Sequence, residues 1–287
     1  FESWNLRVVG LNKITIDLDI IHSADIWYPF TYQAVKTGKP TVATQWENIP
    51  FNVKGKPYLQ IQEYNRKHVT HFIAITEKAK EALTTEGVNP DKISVIPAGL
   101  DCDRFKPKAK TSFNRVNESE DKAKILFVGR LTPEKGIFDL LNAFSLITKN
   151  HQNVELLIAG TGTPKMQTEI NDLSEKLKIK SHIRFLGSVK YSEMPQVHNL
   201  ADIFCLPSVE TDFWAEQFGY SMVEAMATEK PVVSTFTGSI PEIVKNRVTG
   251  ILVEQKNPTA LASALDELLL DRKERERLGR NGRAWVL

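Results

Sequence analysis

Apolar residues come in short runs along this chain, and most runs are followed by a segment in which they recur every three or four positions. That alternation predicts strands joined by helices, the signature of βαβ units and parallel sheets. In the first part the predicted strands are Leu18–His22, Thr41–Thr44, His71–Ile75 and Ile93–Ile96, with helical character over Ile26–Lys36, Pro57–His68 and Glu77–Thr85. Leu100–Lys124 is polar, Lys-rich and aperiodic, and reads as an interdomain linker and solvated loop.

A second series follows. Its strands are Ile125–Gly129, Val154–Gly160, His182–Gly187, Asp202–Pro207, Pro231–Thr235 and Gly250–Val253. Its helices are Pro133–Thr148, Lys165–Leu177, Ser192–Asn199, Gly219–Thr228, Pro241–Lys245 and Pro258–Leu270. Six strands with intervening helices make one doubly wound domain. The first part has fewer strands and opens on the poorly patterned Phe1–Leu11. It is expected to lack its opening strands, in a segment on the order of a hundred residues. Asp271–Leu287 is a basic helical stretch without a stop signal, so the end is expected to be cut as well. The expected fold is α/β with two doubly wound parallel-sheet domains, 1–103 and 104–287, the first incomplete.

Composition narrows the function. A length of 287 residues suffices for two domains, and 41% hydrophobic with 25% charged residues is ordinary for a globular chain. Lys and Arg number 37 against 35 Asp and Glu, a net charge of +2, so no basic stripe points to a nucleic-acid partner. Cys102 and Cys205 lie far apart, and Cys205 sits in the apolar run Asp202–Pro207. A reduced structural thiol in a cytoplasmic setting is expected. No apolar run reaches the about 18 residues of a membrane span. The run Arg272–Arg283 alternates charge at helical spacing. It reads first as a solvated helix face and, alternatively, as a peripheral membrane contact.

In doubly wound sheets, ligands sit at the carboxyl ends of the strands, where helix N-termini present N–H groups and partial positive charge. After the first strand of the second series, Gly129-Arg130-Leu131-Thr132-Pro133-Glu134-Lys135-Gly136 carries two cations. A guanidinium fork and a point charge there suit a diphosphate, although a solvated surface pair accounts for them equally. Gly160-Thr161-Gly162-Thr163-Pro164 lacks the third glycine of a dinucleotide fingerprint, so Gly162 serves either a tight turn or the close approach of a ligand. Val189, after Phe185-Leu186-Gly187-Ser188, could lie against a base or simply close a strand. The stretch Trp214–Ala227 sets Glu216 ahead of a helix opened by Phe218, Gly219, Tyr220, Ser221 and Met222, with Glu224 inside it. Two carboxylates so placed could reach the two ends of one elongated ligand, or be ordinary helix-start glutamates.

Asp101 and Asp103 read as turn and cap residues, and His68 and His71 have no ligand set around them, so no metal site is expected.

Taken together these residues resemble the glycosyltransferases of family 4 (glycosyl transferases group 1), the retaining GT-B enzymes. The likeness runs through Phe127-Val128-Gly129-Arg130-Leu131, Glu134-Lys135-Gly136, Phe185–Val189, Glu216-Gln217-Phe218-Gly219, Val223-Glu224-Ala225-Met226-Ala227, Pro231–Thr235 and Gly238–Val244. Ile96–Asp101 followed by Phe105 is similar to the family's passage into its linker. The resemblance implies a GT-B fold whose first domain takes the acceptor and whose second takes a nucleotide-sugar donor, with no metal or cofactor required. It further implies that Arg130 and Lys135 hold the diphosphate and that the main chain of Phe218–Met222 contacts sugar and phosphates. By the same likeness, Glu216 holds the sugar hydroxyls and Glu224 the ribose. A lipid-linked or polysaccharide glycan is the implied acceptor. A related GT-B phosphorylase or epimerase, or a catalytically silent nucleotide-binding module, are the alternatives. Three departures stand out. The family's Gly-rich loop after its first strand is missing, and Gln45-Trp46-Glu47-Asn48 stands where many members carry a histidine. The spacer Glu210–Ala215 is long, which implies an elaborated rim with Phe213 and Trp214 near the sugar.

Overall fold

A computed structural model describes residues 8–52, 55–108, 113 and 122–287. The chain forms two units, Phe1–Ala98 and Gly99–Leu287.

The first unit runs α1 (Leu11–Ile14), β1 (Ile21–Ala24), α2 (Pro29–Lys36), β2 (Thr41–Gln45), α3 (Lys56–His68), β3 (His71–Ala74), α4 (Glu77–Thr85) and β4 (Ile93–Val95). Its strands form one parallel sheet in chain order, β1-β2-β3-β4. The sheet starts at Ile21 rather than Leu18, because the ladder begins where the Ile21 amide donates to the Pro40 carbonyl at 2.9 Å. Leu18 and Ile20 before it stay exposed. Phe72, Val69 and Leu83 are fully buried in the core between sheet and helices. The opening at residues 1–7 and the expected solvated loop at 109–112 and 114–121 lie outside the described residues.

The second unit runs β5 (Ala123–Val128), α5 (Ile137–Asn150), β6 (Val154–Ala159), α6 (Pro164–Lys176), β7 (Ile183–Gly187), α7 (Met194–Leu200), β8 (Ile203–Leu206), α8 (Tyr220–Ala227), β9 (Val232–Thr235), α9 (Ile240–Ile243), β10 (Gly250–Val253), α10 (Pro258–Leu270) and α11 (Arg272–Val286). All six strands are parallel, in the order β10-β9-β8-β5-β6-β7. Every residue of β6 and β8 is buried, as expected of parallel strands covered on both faces. Apolar residues at helical spacing turn α5 inward: Ile137, Leu140, Leu141, Phe144 and Ile147 are buried, and α5 packs on α10. Each such side chain removed from water stabilises the fold by roughly 1.5–3 kcal/mol. On the other side α8 packs on α7 and α11.

One consequence of this order positions the site. The chain winds outward from β5 through β6 to β7, then returns to place β8 on the other side of β5. The crevice between β5 and β8 at their carboxyl ends is therefore the topological switch point, where open α/β sheets bind ligands.

Candidate active site

Two loops flank the switch point. The loop after β5 passes through Gly129 and Arg130 into a single 3₁₀ turn, Pro133–Lys135, before α5 begins at Ile137. Lys135 thus precedes the helix, which starts four residues later than the sequence pattern predicts. The loop after β8 runs from Pro207 to Gly219, where α8 starts.

Lys135 Nζ donates to Glu216 Oε2 at 2.7 Å, and Ser208 Oγ donates to the same oxygen at 2.8 Å. The side chains keep only 14% and 7% of their surface, so this is a buried ion pair. The Lys135 ammonium also lies 4.9 Å from the centre of the Trp214 ring. Trp214 is thereby one wall of the Lys135 pocket, while Phe213 points outward at 64% exposure. Arg130 differs: its side chain is 67% exposed and meets Glu134 only at 3.8 Å. A pair so long and wet contributes little, which leaves the guanidinium fork available to a ligand.

The long spacer before Glu216 is tied down from three sides. The Val209 amide donates to the Glu134 carbonyl at 2.8 Å, and the Glu210 amide to Gln255 Oε1 at 2.7 Å. Glu210 Oε2 accepts from Thr237 Oγ1 at 3.0 Å and from the Gly238 amide at 3.3 Å. The Ser239 amide donates to the Glu216 carbonyl at 2.8 Å. Gly238 packs so closely here that a Cβ would sit 2.2 Å from the Glu216 carbonyl oxygen and 2.6 Å from its nitrogen. The turn after β9 therefore fixes the backbone of Glu216.

The helix starts differ along the sheet, although a missing side-chain cap does not by itself mark the switch point, since α7 and α9 also start without one. α6 and α10 leave the same edge of the sheet under side-chain caps, with Thr163 accepting from Met166 and Asn257 from Ala260. α5 and α8, at the switch point, start instead from Gly136 and Gly219, both left-handed at φ near +70 to +77 and neither offering a side-chain cap. First-turn amides without such a cap favour an anion. At Gly219 a Cβ would also strike the Met222 methyl at 2.1 Å, so packing alone demands glycine. Phe218 is buried and meets the half-exposed Tyr220 ring edge to face at 5.1 Å; Ser221 is half-buried and Met222 fully buried.

Glu224 lies inside α8, 6% exposed, with Oε2 3.0 Å from His198 Nε2 of α7. Glu216 and Glu224 thus bracket the start of α8. Gly162 and the half-buried Val189 follow β6 and β7, farther along the sheet. Gly162 packs on Leu131, whose carbonyl a Cβ would meet at 2.5 Å.

Sequence reasoning missed Ser208, Glu210 and His198. Ser208, next to Pro207 at a strand tip, carried the only local signal. The other two act across long sequence separations. Elsewhere Asp101 caps the turn before Phe105, its Oδ1 accepting from the amides of Asp103 and Arg104. His68 and His71 have separate partners, the Tyr64 carbonyl and Ser94 Oγ. Among the described residues no three His, Cys, Asp or Glu side chains converge on one point.

The family model described as Glycosyl transferases group 1 matches residues 108–285, and that described as Glycosyltransferase Family 4 matches residues 4–104. An uncharacterized glycosyltransferase of Methanocaldococcus jannaschii is 35% identical over 75% of this chain and 54% of its own length. A GDP-mannose-dependent alpha-(1-6)-phosphatidylinositol monomannoside mannosyltransferase of Mycobacterium tuberculosis is 31% identical over 68% of this chain and 51% of its own. The chain spans about half the length of these two relatives. The crystal structure of Anabaena HepE in complex with UDP-glucose shares the fold, with a TM-score of 0.77 at 20% identity over 96% of this chain and 76% of that one.

Proposed function

The chain belongs to the glycosyl transferases group 1 family, and from that premise we propose that it transfers a sugar from a nucleoside-diphosphate sugar to a glycan or lipid-linked acceptor, with retention at the anomeric carbon. The observation that carries this reading is the buried Lys135–Glu216 pair at the switch point, with the open Arg130 fork and two glycine-started helices beside it.

Arg130 and Lys135 take the diphosphate, and the main chain of Phe218–Met222 takes sugar and phosphate oxygens. Glu216 accepts from sugar hydroxyls and faces the positive charge that develops on the sugar. Glu224 takes the ribose, Val189 lies against the base, and Gly162 lets the donor approach. In the step itself, the bond from the anomeric carbon to the diphosphate oxygen breaks as the acceptor oxygen bonds to the same face. The acceptor proton passes to the leaving phosphate. Fixed cations aimed at that phosphate stabilise the charge it gathers, usually the largest single contribution to such a rate. The donor is a substrate and the reading needs no cofactor or metal, because Arg130, Lys135 and the helix amides supply the countercharge.

Two similarities support the donor class: the Mycobacterium tuberculosis relative is GDP-mannose-dependent and the Anabaena structure holds UDP-glucose. The first also favours a lipid-linked acceptor. Such an acceptor would bring the chain to the cytoplasmic surface of a membrane, where the exposed arginines of α11 could face it. No described helix is long and apolar enough to cross one.

The test is to incubate the chain with nucleotide sugars and candidate acceptors, following nucleoside diphosphate release and the anomeric configuration of the product by NMR. Retained configuration, with loss of transfer but not of nucleotide binding in Glu216→Gln, is the expected result. An inverted product, or full transfer by Glu216→Gln, would overturn it.

A further inference from the structure

His198 is fully buried in α7, walled by Phe204 at 5.5 Å between ring centres and by Phe105 at 6.1 Å. Its Nε2 lies 3.0 Å from Glu224 Oε2, while its Nδ1 is buried without a hydrogen-bond partner. An ionised carboxylate only accepts, so Nε2 carries the proton. The ring therefore makes one polar contact, donating from Nε2 to Glu224. A phenylalanine would fill this apolar slot as well, so packing does not explain the one polar contact.

That contact occupies one oxygen of Glu224 and leaves Oε1 for a ligand, on a side chain with 8% of its surface still open. A glutamate on a helix otherwise samples several rotamers, and two-point recognition of a ribose diol needs one. We propose that His198 is a positioning residue: its Nε2–H fixes the Glu224 carboxylate so that the carboxylate selects ribose over 2′-deoxyribose in the donor. This rests on the reading that Glu224 takes the ribose.

The experiment compares calorimetric affinities of UDP with 2′-deoxy-UDP, and of GDP with 2′-deoxy-GDP, for the full chain and its variants. The wild type should prefer the ribonucleotide about tenfold, the size expected of one hydrogen bond to a charged group. His198→Phe should reduce that preference below about threefold while leaving 2′-deoxy affinity within about twofold. His198→Gln, whose amide N–H can reach the Nε2 position, should retain it. If His198→Phe does not fold, His198→Asn, too short to reach Glu224, should lose the preference that His198→Gln keeps. A preference kept by His198→Phe, or by His198→Asn, but lost by Glu224→Ala overturns the positioning role and leaves the ribose reading standing. A preference unchanged in Glu224→Ala removes the ribose reading, and this inference with it.

Discussion

Replacing Lys135 with methionine probes the switch point without any ligand. The variant keeps an unbranched apolar stem over the Trp214 ring but removes the ammonium that lies 2.7 Å from Glu216 Oε2. Glu216, 7% exposed at its side chain, would stay in place with the Ser208 hydroxyl on the same oxygen and no Lys135 charge opposite. Breaking a buried pair from one side costs about 3–5 kcal/mol, and a cation over an indole adds about 0.5–2 kcal/mol. Because Lys135 keeps 14% of its surface, the lower end applies, about 3 kcal/mol. For a unit of this size each kcal/mol moves the melting temperature by roughly 2–4 °C, so a fall of about 6–12 °C is expected. Adding Glu216→Gln should recover most of that loss, because a neutral amide needs no counterion. The double-mutant cycle should then give a coupling of at least about 1.5 kcal/mol. Thermal and urea unfolding at pH 7 measure both quantities. A Lys135→Met melting temperature within about 1 °C of wild type, or additive effects in the cycle, would refute the buried pair.

Other outcomes follow from the same reasoning. Asp25, buried at the carboxyl end of β1, is pushed up to about 6 by burial, against which the Trp46 and Glu47 amides act. Its stabilising contribution is complete below the ordinary aspartate range and is lost as pH rises through about 6. At ~1.4 kcal/mol per pH unit the gap amounts to about 3 kcal/mol. Asp25→Asn should thus gain up to that much at pH 7.5, little at pH 4, and flatten the wild-type profile; parallel melting curves across that range would contradict it. Gly238→Ala should lower both melting temperature and nucleotide-sugar affinity, the latter at least about tenfold, because its Cβ would press on the Glu216 backbone. Parent-like calorimetry would mean that the turn after β9 does not hold Glu216.

Much of this architecture was legible because it is periodic. β10, α4 and α10 coincide with their predicted ranges, since apolar spacing and caps such as Asn257 are local signals. The start of α5 was not: whether Pro133 opens a helix or a separate 3₁₀ turn depends on Gly136, where a Cβ would meet the Pro207 carbonyl at 1.8 Å, a contact made from the loop after β8. Glu216, Glu224, Arg130 and Lys135 could be singled out by position after strands and by motif. That Lys135 and Glu216 bond to each other was not legible, because strand order brings β5 beside β8 across the intervening β6 and β7. His198 gave no signal, since its one polar partner lies on the next helix and its neighbours are aromatic. Asp25 likewise stands out only once burial is known.

The central claim is that a nucleoside diphosphate sits at the switch point between β5 and β8, and Arg130 offers its cleanest test. The side chain is 67% exposed and holds only a 3.8 Å surface pair, so its removal should leave the fold untouched. Titrating UDP and GDP into wild type and Arg130→Ala by calorimetry should give one-to-one binding of at least one nucleotide. The variant should be at least tenfold weaker, the worth of a charge-assisted fork on phosphate, at an unchanged melting temperature. Equal affinities in the two proteins, or no heat from either nucleotide, would contradict the account.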